Sequence, residues 1–248
     1  MSTCKLCNIN KAIENSHIIP EFMYKPVYDS KHRYMPFTSK DCKTVKIEQK
    51  GIREDLLCPE CETKFSKLET EASKFIRDFH KAQPIATHND LRMYKIAGID
   101  NFKIFTLSVL WRLGISTHTS FIHYNLGPYE EKLRLILLND IKLKRSEYPI
   151  FFTLLLRENK EICDDILVSF GKIGRIKTYS VQSFIASGLI FDIVMTTGQI
   201  PTDWNKLLDP CTDCFAIKIQ DLGKLQRKEK LIDFSSRHNA RAVEFYDL

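Results

Sequence analysis

Cys58-Pro59-Glu60-Cys61 runs straight into Glu62-Thr63-Lys64-Phe65-Ser66-Lys67-Leu68 and on to Lys81. Two thiols separated by two residues can reach one tetrahedral ion at about 2.3 Å. Beyond them the sequence takes on a helical period. Phe65, Leu68, Ala72, Phe75, Ile76 and Phe79 recur at spacings of three, four, three, one and three, and Lys64, Lys67, Glu69, Glu71, Lys74 and Arg77 lie between them as a solvated face. The stretch therefore predicts a metal knuckle fused to the start of a helix over 60–81. Working outward, Cys4-Lys5-Leu6-Cys7 repeats the same spacer. The two pairs together supply the four thiolates of a closed structural Zn²⁺ site. A simple zinc ribbon separates its pairs by about 15–20 residues. Here residues 8–57 intervene, so a segment is inserted between the knuckles. A second knuckle that becomes a helix is the arrangement of a treble-clef finger.

The rest of the composition sets bounds. The chain has 248 residues, 44% hydrophobic, 27% charged and 11% aromatic. This excludes a disordered, collagen-like or coiled-coil protein. At about 150 residues per domain the length allows one or two domains. No apolar run reaches the roughly 18–20 residues of a membrane span, and the longest, over 187–197, is interrupted by Asp192. The start, Met1-Ser2-Thr3-Cys4-Lys5, lacks the apolar region of a signal peptide. A cytoplasmic protein without membrane partners is expected. In a reducing compartment eight cysteines point to metal before disulfides. The net charge of +6 permits nucleic-acid binding without requiring it.

Two segments differ in character. Residues 1–80 hold both knuckles and few long apolar runs, and Pro84 with the polar stretch 86–90 reads as a linker. Residues 81–248 are richer in regular structure. A helix is expected over 102–113, capped by Asp100-Asn101 and ended by Gly114, and another over 129–139 opened by Gly127-Pro128. Strands are expected at 149–157, 166–173, 178–185, 189–197 and 215–220, with Gly174, Ser187 and Gly188 as punctuation. The fold class is α+β: a small zinc module over 1–80, then an accessory domain over 81–248 with helices first and an antiparallel sheet after them.

Between the knuckles stands Asn15-Ser16-His17-Ile18-Ile19-Pro20, and before the second one Glu54-Asp55-Leu56-Leu57. The order Cys-x-x-Cys, His-Ile-Ile-Pro, Leu-Cys-x-x-Cys and helix resembles the HNH endonucleases whose ββα-metal site is embedded in a four-cysteine zinc finger. The resemblance covers about a third of the chain. It implies a metal-dependent endonuclease that hydrolyses phosphodiester bonds, with DNA as the expected substrate. It implies that His17 is the general base that deprotonates the attacking water, and imidazole titrates in the right range for this. It also implies a catalytic Mg²⁺ or Mn²⁺. The sequence departs from the pattern at three places. Ser16 replaces the metal-binding residue before the base, Arg53 stands near the expected Asn, and Glu62 follows the last cysteine where the family has His. Glu62 is a hard oxygen donor suited to Mg²⁺ or Mn²⁺, with Glu54, Asp55 or Glu69 as further donors, and it is also a carboxylate favoured at a helix start.

Basic residues run through the insertion, including Lys25, Lys31, His32, Arg33, Lys40, Lys43, Lys46, Lys50 and Arg53, with Tyr24, Tyr28 and Tyr34 among them. Phosphate contacts from Lys43, Lys46, Lys50 and Arg53 would hold a nucleic acid across the site; a solvated loop is the plainer reading. The run from Lys224 to Lys230 reads as a solvated helix face. Cys211 and Cys214 form a third pair whose only nearby further ligand is His238, and they read as ordinary thiols in a turn. Cys42, Cys163, His80, His88, His118 and His123 carry no motif. A second function class stays open: a non-catalytic zinc module that binds nucleic acid or protein. A redox or metal-sensing role for Cys211 and Cys214 is a weaker third.

Overall fold

The computed structural model describes residues 2–13, 15–34, 48–176, 178–202, 204, 208 and 213–223. The expectations for Lys40, Cys42, Lys43, Lys46, Cys211, Lys224–Lys230 and His238 fall outside these residues.

In the first segment a minimal antiparallel ladder pairs β1 (Ser16–His17) with β4 (Arg53–Glu54), with Ser16 opposite Glu54 and His17 opposite Arg53. Between them lie the short helix α1 (Glu21–Tyr24) and a second antiparallel pair, β2 (Arg33–Tyr34) with β3 (Glu48–Gln49). The long helix α2 (Pro59–Lys81) follows. Pro59 starts it with a pre-set φ; Glu60 and Glu62 in its first turn and Lys81 in its last match the helix dipole. Its buried face is Cys61, Phe65, Ala72, Phe75, Ile76 and Phe79, the predicted stripe with Leu68 only partly covered.

The stretch read as a linker is structured. β5 (Ala86–His88) and β6 (Leu91–Lys95) form a hairpin at one edge of a seven-stranded sheet. The segment is polar because an edge hairpin is solvated, and β5 is exposed throughout. α3 (Ile99–Ile115) begins earlier than expected. Its N-cap is Gly98, with φ 95°, and Asp100 lies inside the first turn. It also continues past Gly114, where an added Cβ would meet Leu126 Cδ1 at 2.2 Å. The glycine is there for close packing and does not end the helix. α4 (Tyr129–Leu138) follows as read.

The remaining strands are β7 (Ile150–Leu156), β8 (Val168–Ile176), β9 (Tyr179–Ala186), β10 (Leu189–Val194) and β11 (Cys214–Asp221). The sheet order is β5-β6-β11-β7-β10-β9-β8. All neighbouring pairs are antiparallel except β11 with β7, which run parallel, so the sheet is mixed where an antiparallel one was expected. β11 enters between β7 and β6 after a long excursion from β10, and that crossover reverses its sense. The β9–β10 turn, Ser187-Gly188, holds both residues at positive φ, 52° and 76°, the twist that a two-residue hairpin needs.

Helices α2 and α3 cover one face of the sheet. Phe75 stacks on Phe102 at 4.3 Å between ring centres, and Phe102 reaches Phe152 and Phe191. On the other face Leu155, Cys163, Ile185 and Ile190 form one small cluster, and Val181, Val194 and Trp204 form another. Burial on both faces explains why β7 reads as an unbroken apolar run. The main core is continuous from Cys4 and Leu6 through Phe65 and Trp111 to Phe215 and Ile217. No helix among the described residues is long and apolar enough to cross a membrane.

Candidate metal centre and the His17 site

The first knuckle is a tight loop closed by Cys4 N–H to Asn10 O (2.8 Å) and Asn8 N–H to Cys4 O (2.9 Å). It is strapped to the approach of the second knuckle by Lys5 N–H to Leu56 O and Ile13 N–H to Leu57 O, each 2.7 Å. Cys58 is the residue before the first turn of α2, and Cys61 lies within that turn. These local structures bring the four Sγ atoms of Cys4, Cys7, Cys58 and Cys61 within 4.8 Å of one another. Four sulfurs at 2.3 Å from a tetrahedral centre stand about 3.8 Å apart. Cys7 Sγ and Cys58 Sγ are 3.9 Å apart, and all four cysteines are free thiols. The set therefore fits a tetrahedral ion such as zinc.

The electrostatics agree with that fit. Burial raises the Cys7 thiol, but backbone N–H donors of Asn10 and Ile9 with the Cys4 and Cys58 thiols outweigh it and bring it down to about 7. Burial pushes Cys58 and Cys61 up. A central cation would remove that penalty by taking all four as thiolates. Polar groups stand around the sulfurs. Asn10 Nδ2 reaches Cys58 Sγ at 3.8 Å and Glu60 Oε2 at 3.2 Å, and Arg134 of α4 donates to Leu6 O beside Cys7.

His17 sits on β1, which pairs with the β4 strand that precedes α2, with its side chain 27% exposed. Its Nε2 is 3.2 Å from Glu21 Oε2, and its carbonyl accepts from Arg112 Nη1 at 3.0 Å. The same Nη1 donates to Glu69 Oε1 at 2.8 Å. Burial and the cross-strand Arg53 guanidinium hold the imidazole below its ordinary pKa, against the pull of Glu21 and Glu69. A neutral imidazole near pH 7 can accept a proton. Glu21 was not legible as a partner. The one signal is its position four residues after His17, across the Pro20 that starts α1.

The other sequence candidates are placed as follows. Ser16 is buried and its Oγ accepts the Leu57 N–H at 3.1 Å, so the hydroxyl is spent on the backbone. Both Glu54 carboxylate oxygens accept from Thr117 N–H, at 3.1 and 3.2 Å, which ties β4 to the chain after α3. Asp55 is exposed. Glu62 lies in the first turn of α2, half-buried, with its N–H on Cys58 O. Glu69 is two turns further on, about 10 Å along the axis, and it is the α2 carboxylate whose charge bears on His17. Among the described residues the four cysteines are the one group of three or more His, Cys, Asp or Glu donors close enough to share an ion. Lys50 is exposed, and Arg53 is half-buried with an Nε that has no hydrogen-bond partner among the described residues.

His80 Nε2–H donates to Ser187 O, 3.0 Å away, and His118 Nδ1 accepts the Ser120 N–H, so both hold local structure. Cys163 is buried with Sγ 3.5 Å from Asp165 Oδ1, and burial pushes it up to about 11. Cys214 starts β11 in a disulfide, which corrects the reading of it as an ordinary thiol. No protein-family model, curated protein or solved structure matches the chain.

Proposed function

We propose that residues 1–80 are an HNH-like, treble-clef nuclease module that hydrolyses phosphodiester bonds of nucleic acid, with DNA as the expected substrate, and that 81–248 are its accessory α+β domain. One observation carries the reading: a β1–β4 strand pair bearing a partly exposed His17 leads directly into α2, and the pair and helix rest on a four-cysteine cluster that fits zinc.

In this reading zinc is structural, held by Cys4, Cys7, Cys58 and Cys61. His17 is the general base. Glu21 orients the ring through Nε2 and leaves Nδ1 to take the proton of the attacking water. Arg53, paired with His17 across the β1–β4 ladder, would meet a phosphate oxygen, and Lys43, Lys46 and Lys50 would extend the contact along the backbone. A Mg²⁺ or Mn²⁺ bound at Glu62 would act as a Lewis acid on the scissile phosphate.

The test is cleavage of plasmid and single-stranded substrates with Mg²⁺ or Mn²⁺ by wild type, Glu62→Ala and Glu62→His. The reading expects loss in Glu62→Ala and better retention in Glu62→His. Activity kept in Glu62→Ala would move the ion away from Glu62, and no cleavage by wild type would remove the nuclease reading. Glu62 is not among the charges that bear on His17 and joins no group of donors among the described residues, which favours a second reading, a zinc module that binds nucleic acid or protein without cutting it.

A further inference from the structure

Arg112 lies in the last turn of α3, 1% exposed, in a helix whose buried side chains are mostly apolar. Its guanidinium stands over the Phe65 ring at 5.2 Å, its Nε faces Ser108 O at 3.3 Å, and its Nη1 is shared between His17 O and Glu69 Oε1. A buried charge of this kind is a poor route to stability, since an apolar residue of similar volume commonly does as well or better. What the charge does here is geometric. β1 is only two residues long, and its ladder to β4 is correspondingly short. The guanidinium takes the His17 carbonyl from the side opposite that ladder and ties it to the middle of α2.

We propose that Arg112 is a positioning residue of the His17 site: it clamps the His17 carbonyl and the Glu69 carboxylate together, and so fixes the imidazole against α2. The inference rests on the base role given to His17 above. It makes α3, and with it the segment after residue 80, part of the site. The charged groups that face His17 are then Glu21 from α1, Arg53 from β4, Glu69 from α2 and Arg112 from α3.

The experiment uses the full chain. The imidazole carbon-bound proton of His17, assigned with His17→Gln, is followed by NMR through a pH titration. Cleavage is measured in parallel on the same samples. The double variant Glu69→Gln/Arg112→Met removes both charges at once; losing the Glu69 charge by itself would lower the His17 midpoint, so a rise reports lost geometry. Arg112→Lys keeps the charge against Glu69, and with it the fold, on a single point donor. The clamp predicts that the His17 midpoint rises in the double variant, as the ring gains water. It predicts that kcat falls about 10²-fold with KM little changed, and that Arg112→Lys lies between the double variant and wild type on both measures. A wild-type midpoint and wild-type kcat in both variants overturn it. If the wild type cuts nothing, the nuclease reading falls, and the titration alone judges the clamp: a raised midpoint supports it and an unchanged one overturns it.

Discussion

Burial sets the protonation of His80, and the consequence can be measured. The ring is half-buried against Ser187 O, and burial lowers its pKa from the ordinary 6.5. In the unfolded chain it takes its proton first as pH falls, so unfolding consumes a proton between about 6.5 and the lower folded value. Stability should therefore be highest above that window and decline on acidification through it, with a slope of at most about 1.4 kcal/mol per pH unit from this group. In His80→Gln, denaturant unfolding between pH 7.5 and 5 should show a correspondingly flatter slope; an identical slope would mean the ring titrates normally in the fold. Residues also mark where sequence reading stops. The knuckle cysteines were legible because two-residue spacers are local. Arg112 was not, because its role depends on two contacts far away along the chain, at His17 and Glu69. Glu21 was missed for a subtler reason: Pro20 breaks the helical register that would have linked it to His17.

At the scale of elements, the knuckles hold the first segment to α2. Cys58→Ser should lose the bound zinc and unfold the region around β1, β4 and the start of α2, since the energy of metal binding is folding energy in a module with so little core of its own. Metal analysis and amide exchange would follow both effects, and a zinc-loaded, protected Cys58→Ser would remove the structural premise of the site. The helices and strands themselves were largely readable. α2 carries its stripe in plain period, and β7, β9 and β10 are apolar runs between turn residues. The errors came where tertiary context decides. The exposed edge strand β5 reads as a polar linker, and Gly114 reads as a helix end when its role is to admit Leu126.

For the whole molecule, the parallel seating of β11 beside β7 could not be read from composition, because strand order is set by packing across the sheet and not by the strands' own residues. Nor was the continuous core that joins the knuckles to the sheet through α2 and α3. Net charge acts at this scale too. If the +6 chain binds a nucleic-acid backbone through Lys43, Lys46 and Lys50, log affinity should fall linearly with log salt, and neutralising the three should lower the slope by about two to three units. An unchanged slope would take the insertion out of the interface. The central claim is that His17 is the base of a phosphodiester hydrolase built on the four-cysteine cluster. Single-turnover cleavage with Mg²⁺ or Mn²⁺ tests it most directly, comparing wild type with His17→Ala at equal zinc content and equal nucleic-acid binding. The account predicts divalent-dependent cutting by the wild type and a loss of about 10²–10⁴-fold in His17→Ala; a His17→Ala protein that cuts as fast as wild type would contradict it.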